Sequence, residues 1–207
     1  MPPEHQNEHH AERHSQQLEN AIPTLPTTGS VTLNQMLALQ PENALPNLLI
    51  LISIPGLLPS MGVPFGSIFS LGMFAMGAAW IAGARTLALP RKLGTFAFAH
   101  GTAVRILRAT VKAYQLAETL CATRHPNLTG RSARRVIGLA VLLNAFIIFL
   151  PIPFGNTIPA LANIVLGLAV VFRDAWALAV GAVLTLAGLG LAVAFAAGSV
   201  WLLQYIF

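Results

Sequence analysis

The sequence predicts an all-α fold: a polytopic helical membrane protein with two repeated, PFG-hinged broken-helix pairs and a long C-terminal transmembrane helix. Of its 207 residues, 55% are hydrophobic and only 9% are charged, whereas about 25% of the residues in an ordinary soluble domain are charged. Charge this sparse cannot cover a water-facing surface, so lipid is the expected solvent for much of the chain. The other two observations are five apolar stretches and a Pro-Phe-Gly tripeptide that occurs twice between them.

The first segment, residues 1–30, is polar and rich in His, Gln, Glu and Pro, which predicts a disordered cytoplasmic tail. It has no apolar core after a basic start, so it is not a secretory signal peptide. Its histidines have helical spacing and offer a metal site as an alternative to a solvated tail: His5, His9, His10 and His14. The solvated tail is the simpler interpretation, and we assign no metal. Residues 31–207 are predicted to form a single membrane domain.

A short amphipathic helix is predicted directly after the tail. Leu33, Met36 and Leu37 recur at helical spacing, Thr32 is a good N-cap, and Pro41 ends the pattern. We expect this helix to lie at the membrane interface.

The five apolar stretches differ in length. A membrane-spanning helix needs about 20 residues, and the first four stretches are shorter than this, whereas the last is longer and carries no charge. The predicted segments are a first helix pair (45–84), a basic amphipathic region (85–135), a second helix pair (136–172) and a final transmembrane helix (175–207).

The two short pairs share a hinge. Superposing Pro64 on Pro153 aligns "VPFGS" with "IPFGN", and an internal duplication explains this match as an alternative to coincidence. Proline removes a backbone donor and glycine tolerates strained angles, so each tripeptide ends one helix and begins another. Two placements remain open: a re-entrant hinge inside the membrane, or a tight turn at the far surface.

The hinges supply most of the candidate ligand-binding residues. Ser67 and Asn156 follow the two tripeptides and are good N-caps. Two helix N-termini pointing inward would present free amides and partial positive charge to an anion. The candidate residues at the hinges are Pro64, Phe65, Gly66, Ser67, Pro153, Phe154, Gly155 and Asn156.

Further polar residues lie within the apolar stretches. Arg173 and Asp174 separate the fourth stretch from the fifth, as either a charge pair in the ligand site or an interfacial turn with an N-capping aspartate. Asn144 and Asn163 are expected to form interhelical hydrogen bonds. Trp201 is expected to anchor the outer end of the final helix.

The basic region 85–135 contains ten cations and Glu118 as its single acid. A helix that is apolar on one face and basic on the other is predicted within it, and the positive-inside rule places it in the cytoplasm together with the N-terminus. Because the cations lie between apolar stretches, anionic lipid head groups are the expected partner and nucleic acid is not. The cations are Arg85, Arg91, Lys92, Arg105, Arg108, Lys112, Arg124, Arg131, Arg134 and Arg135.

Catalytic chemistry has little support in the sequence. Outside the tail the only acids are Glu42, Glu118 and Asp174, and no paired carboxylates, phosphate loop or Cys/His metal cluster occurs. We therefore expect no enzyme, no catalytic residues, no metal and no cofactor.

Three motifs resemble those of the ExoD family of exopolysaccharide-synthesis membrane proteins. They are "PIPFGNTIPALANIVLGLAVVFRDAWALAVG" at 151–181, "IPGLLPSMGVPFG" at 54–66 and "LPRKL" at 89–93. The resemblance covers roughly residues 30–205, and implies a multi-pass protein of the bacterial inner membrane with a role in exopolysaccharide synthesis or export. It supplies no catalytic residues. From it and the hinges we expect a protein that handles an anionic lipid-linked intermediate, or alternatively a scaffold that docks polysaccharide-synthesis proteins or a second copy of the chain.

Overall fold

The computed structural model describes residues 13–27, 29–40, 43–57, 65–83, 94–120, 131–150, 152 and 155–206. In these residues the fold is helical, with one short antiparallel pair of strands in which Val31 faces Phe98. Two 3-10 segments, Ile22–Thr24 and Ile54–Leu57, extend the first and third helices. The helices are α1 (His14–Ala21), α2 (Leu33–Ala38), α3 (Ala44–Ser53), α4 (Phe65–Ile81), α5 (His100–Leu120), α6 (Arg131–Phe149), α7 (Thr157–Phe172) and α8 (Ala175–Ile206), and the strands are β1 (Ser30–Thr32) and β2 (Ala97–Ala99).

The tail differs from the prediction of disorder over residues 1–30. Helix α1 and the following 3-10 turn are folded, and α1 packs against α5 with Ser15 and Leu18 buried. The prediction is therefore wrong for residues 14–24, because contacts with a distant helix stabilise a segment whose own sequence is polar. His5, His9 and His10 lie outside the described residues, so the histidine cluster is not described.

The two amphipathic helices form as predicted. In α2, the Thr32 side chain accepts from the Gln35 amide at 3.3 Å and the Gln35 side chain accepts from the Thr32 amide at 2.8 Å, which completes a capping box. Most apolar residues of α2 and α5 are buried in the protein core, whereas Leu116 and Leu120 near the end of α5 are exposed. These two apolar faces therefore contact protein, and α5 leaves its basic side exposed.

The remaining helices form a bundle in which the two predicted pairs interlock. Helix α4 packs along α6, and α3 packs along α7. At the first crossing the backbones touch: a Cβ on Gly77 would lie 2.8 Å from the Gly138 carbonyl oxygen. At the second, a Cβ on Gly167 would lie 2.7 Å from the Ile50 side chain. Glycine is needed at both crossings because any side chain would push the helices apart.

In the part of the chain that the structure describes, two helices are long and apolar enough to cross a membrane: Ser132–Phe149 and Ala175–Tyr205. Three other apolar helices among the described residues are shorter: Ala44–Leu57, Phe69–Ile81 and Thr157–Phe172. This pattern is consistent with a membrane protein. It agrees with the prediction of a long final helix and of short first, second and fourth stretches, but the prediction that the third stretch is too short to span is wrong, because its helix begins in the preceding basic region, at Arg131.

Candidate functional site

The first hinge is described only in part. Helix α4 begins at Phe65, so Phe65, Gly66 and Ser67 make up its first turn, and Pro64 lies outside the described residues. The prediction that Ser67 is the N-cap is wrong, because the helix starts two residues earlier. A helix can extend backward in this way because the amides of a first turn need no intrahelical acceptor.

The second hinge shows why glycine occupies it. The Gly155 amide donates to the Ile152 carbonyl at 3.0 Å, and a Cβ on Gly155 would lie 2.7 Å from the Ile152 Cβ. The turn therefore requires a residue without a side chain. Gly155 is buried, and Pro153 and Phe154 lie outside the described residues.

Asn156 is the N-cap of α7, as predicted, but it caps the helix with its backbone. Its carbonyl accepts from the Ala160 amide at 3.0 Å, and its side chain makes no capping hydrogen bond. The reason is its helical backbone conformation, φ −79° and ψ −26°, since a capping side chain needs an extended backbone to reach the amides of the first turn. The residue is only 8% exposed.

Both hinges lie at the same end of the bundle. Helices α4 and α6 are antiparallel, since Gly77 contacts Leu142 whereas Gly138 contacts Ile81. The C-terminus of α6, which leads into the second hinge, is thus level with the N-terminus of α4. The N-termini of α4 and α7 therefore lie at the same end of the bundle.

Arg173 and Asp174 lie at the opposite end of α7. Because α7 has 16 residues, this junction is about 24 Å from the hinge. The ten candidate ligand-binding residues therefore do not form a single site. Arg173 is exposed and has a left-handed backbone with φ 53°.

Asp174 caps the final helix. It is 1% exposed, and its Oδ1 accepts from the Trp176 amide at 2.8 Å. Its carbonyl also accepts from the Leu178 amide at 3.1 Å. These bonds agree with the capping alternative for the Arg173–Asp174 turn.

A buried polar cluster joins four helices between these two ends. The Asn144 amide nitrogen donates to Asn163 Oδ1 at 2.9 Å and to Thr185 Oγ1 at 3.0 Å. Asn163 in turn donates to the Met73 sulfur at 3.3 Å. The predicted interhelical hydrogen bonds of Asn144 and Asn163 are confirmed, and the cluster fixes the rotation of α4, α6, α7 and α8 relative to one another.

Comparison with known proteins identifies the family. The family model described as "Exopolysaccharide synthesis, ExoD" matches residues 14–194. The chain belongs to the ExoD family. This membership implies involvement in exopolysaccharide synthesis. No curated protein and no solved structure matches the chain significantly.

The ExoD match begins at His14, the first residue of α1, so the docked N-terminal helix is part of the family region. Glu118 holds this helix: its carboxylate accepts from the Ser15 amide at 2.9 Å and from the Ser15 hydroxyl at 2.6 Å. A carboxylate on the first-turn amides also interacts favourably with the helix dipole. The sequence indicated Glu118 only as the single acid of a basic region, and nothing local to either residue could have paired them.

A second network ties the α1 segment of this ExoD protein to the bundle. The Tyr114 hydroxyl donates to Asn47 Oδ1, Asn47 donates to Gln40 at 2.8 Å, and Gln40 donates to the His14 carbonyl at 3.0 Å. The His14 ring also stacks edge-on against Phe172 at 5.5 Å. Burial raises the pKa of the Tyr114 phenol well above its ordinary value, so this donor stays protonated.

The basic face of α5 lies on the outside of this layer. Arg105, Arg108 and Lys112 are exposed and recur at helical spacing along one side of the helix. The other cations of the predicted basic region are partly outside the described residues, at 84–93 and 121–130. The ExoD protein therefore presents a row of exposed positive charges along one side of α5.

Proposed function

We propose that this ExoD-family protein serves exopolysaccharide synthesis without catalysing a reaction, by binding an anionic lipid-linked intermediate at the hinge end of its bundle. The observation that supports the proposal is the placement of two helix N-termini, those of α4 and α7, at the same end of an apolar bundle. Helix N-termini carry unpaired amides and partial positive charge, which favour a phosphate group. The apolar outer surface of the helices suits the lipid tail.

The two helix pairs are, in this proposal, copies of one unit. The first helix of each pair packs on the second helix of the other: α3 on α7, and α6 on α4. This exchange is the arrangement expected of an internal duplication related by a two-fold axis, and it would place equivalent hinges side by side. Pro64, Phe65, Gly66 and Ser67 from one copy would then complete a site with Pro153, Phe154, Gly155 and Asn156 from the other.

The proposed orientation puts the N-terminus and the basic region 85–135 on the cytoplasmic face of the bacterial inner membrane, with the C-terminus outside. The row formed by Arg105, Arg108 and Lys112 would then contact anionic head groups, each charge contributing about 1 kcal/mol. The cation excess supports this orientation through the positive-inside rule.

A scaffold is the second candidate, and one observation favours it. The C-terminal part of α8 is exposed, and a Cβ on Gly190 or Gly198 would meet no other described residue within 4 Å. Small residues on an exposed membrane helix permit close approach of another helix. In this alternative α8 would dock a polysaccharide-synthesis protein or a second copy of the chain.

The two candidates predict opposite results in cells. In a strain lacking the endogenous gene, a Gly155→Leu variant should lose polysaccharide output, because leucine cannot fit beside Ile152. The matched Gly190→Leu, Gly198→Leu variant changes only open positions and should keep output. Membrane insertion is measured for both. If the hinge variant inserts normally and supports full output while the α8 variant fails, the binding role is wrong and the scaffold is right.

A further inference from the structure

The aromatic residues of helix α8 indicate where the two surfaces of the membrane lie along it. Trp176 and Trp201 lie near its two ends, 67% and 65% exposed, and Tyr205 stacks on Trp201 with ring centroids 5.8 Å apart. Tryptophan and tyrosine favour the head-group layers of a bilayer. The 25 residues from Trp176 to Trp201 rise about 38 Å, between the thickness of the hydrocarbon core, about 30 Å, and that of the whole bilayer, about 40–45 Å.

The second hinge lies near the midpoint of α8 between Trp176 and Trp201. Helices α7 and α8 are antiparallel: a Cβ on Gly181 would meet Leu166 at 2.6 Å, and one on Gly188 would meet Pro159 at 3.4 Å. Gly188 is about 18 Å from Trp176 and about 20 Å from Trp201 along the helix. Because Pro159 lies in the first turn of α7, that helix begins midway between the two aromatic ends.

The C-terminal part of α8, residues 193–205, is not covered by any other described residue. Residues 193–205 are exposed on every side of the helix, and all but Ser199, Gln204 and the Tyr205 hydroxyl are apolar. Val193, Phe195 and Leu203 are 59%, 46% and 56% exposed. A docking helix would need a single apolar stripe, whereas a helix that is hydrophobic all round is typical of a membrane span. This surface therefore suits contact with the lipid hydrocarbon of the leaflet on the Trp201 side, the far leaflet.

We infer that the α6–α7 pair is a re-entrant hairpin that turns at the bilayer midplane, and that residues 193–205 of α8 cross the far leaflet in contact with lipid. The burial of Gly155 and Asn156 agrees with this placement, since an irregular backbone at that depth must be enclosed by protein. A hairpin that crossed the whole membrane would instead bring its turn level with Trp201. The inference concerns where the hinge lies and holds whether or not the hinge binds an anion.

Spin labels in liposomes test this placement. Single cysteines replace exposed residues in a Cys121→Ala background: Leu161 on α7, Leu186 at the same level on α8, and Leu203 near the far end. Power-saturation EPR then compares accessibility to oxygen, which is concentrated at the bilayer centre, with accessibility to a water-soluble nickel chelate. We expect the label at 161 to match that at 186, both deep, and the label at 203 to be shallow.

Two outcomes overturn the inference. If labels at 161 and 203 are equally shallow, the hinge lies at the far surface. If a label at Phe195 is shielded from oxygen and shows dipolar broadening that depends on protein density, a second copy covers α8 instead of lipid. All four positions are exposed, so the labelled proteins should fold, and thermal unfolding of each in detergent checks that they do.

Discussion

The close contact where α4 crosses α6 allows a specific prediction about the free energy of unfolding. Replacing Gly77 by alanine places a Cβ 2.8 Å from the Gly138 carbonyl oxygen and 2.8 Å from Leu142 Cγ. Since one of these atoms belongs to the backbone, the two helices must separate. Overpacking of this kind costs about 1–3 kcal/mol, and the better helix propensity of alanine returns about 1 kcal/mol. We expect Gly77→Ala to lower the free energy of unfolding by up to about 2 kcal/mol, the net of these two effects.

Gly138→Ala should have a similar effect, because its Cβ would lie 2.7 Å from the Gly77 carbonyl oxygen. The two substitutions force the same helix separation, so the double variant should lose less than the sum of the single losses. The assay is equilibrium unfolding of the purified protein in mixed micelles, followed by circular dichroism. Gly190→Ala is the control, since a Cβ there would meet no other described residue within 4 Å. If Gly77→Ala is no less stable than this control, the backbone contact between the two helix pairs is wrong.

Three further substitutions test the turns and the docked helix. Asp174→Ala removes the hydrogen bond to the Trp176 amide and should destabilise the protein by about 1 kcal/mol in thermal unfolding; an unchanged transition would contradict the cap. Arg173→Gly relieves a left-handed backbone and should stabilise the protein by about 1 kcal/mol; an unchanged unfolding transition would contradict the strain argument. Glu118→Ala removes both bonds to Ser15, so trypsin should cut after Arg13 faster than in a Leu116→Ala control, and equal rates would show that α1 is held by other contacts.

Local signals in the sequence were sufficient for several elements. The capping box of α2 depends on Thr32 and Gln35 alone, and the turn between α7 and α8 is marked by the only charges in a long apolar run. These features are encoded within a few residues, so pattern and propensity predict them well.

Features that depend on distant residues could not be predicted. Helix α1 has a polar sequence, and it is held by contacts with distant residues such as Glu118, which is 103 residues from Ser15. The apolar faces of α2 and α5 look the same whether they meet lipid or protein, and only the fold shows that they meet protein. The predicted ligand site also joined Arg173 and Asp174 to the hinges, because a sequence does not show which end of a helix each residue occupies in space.

The central claim is that the hinge end binds an anion, and direct binding of polyprenyl phosphate to the purified protein tests it. Asn156→Asp adds a negative charge at the N-cap of α7 while keeping a side chain that suits this position. Two like charges about 4 Å apart repel by about 4 kcal/mol in a protein environment, so we expect binding to weaken by at least about tenfold. Gln204→Glu adds the same charge at the exposed far end of α8 and should leave binding unchanged. Saturable binding that is equal in the wild type and in a folded Asn156→Asp variant would contradict the claim.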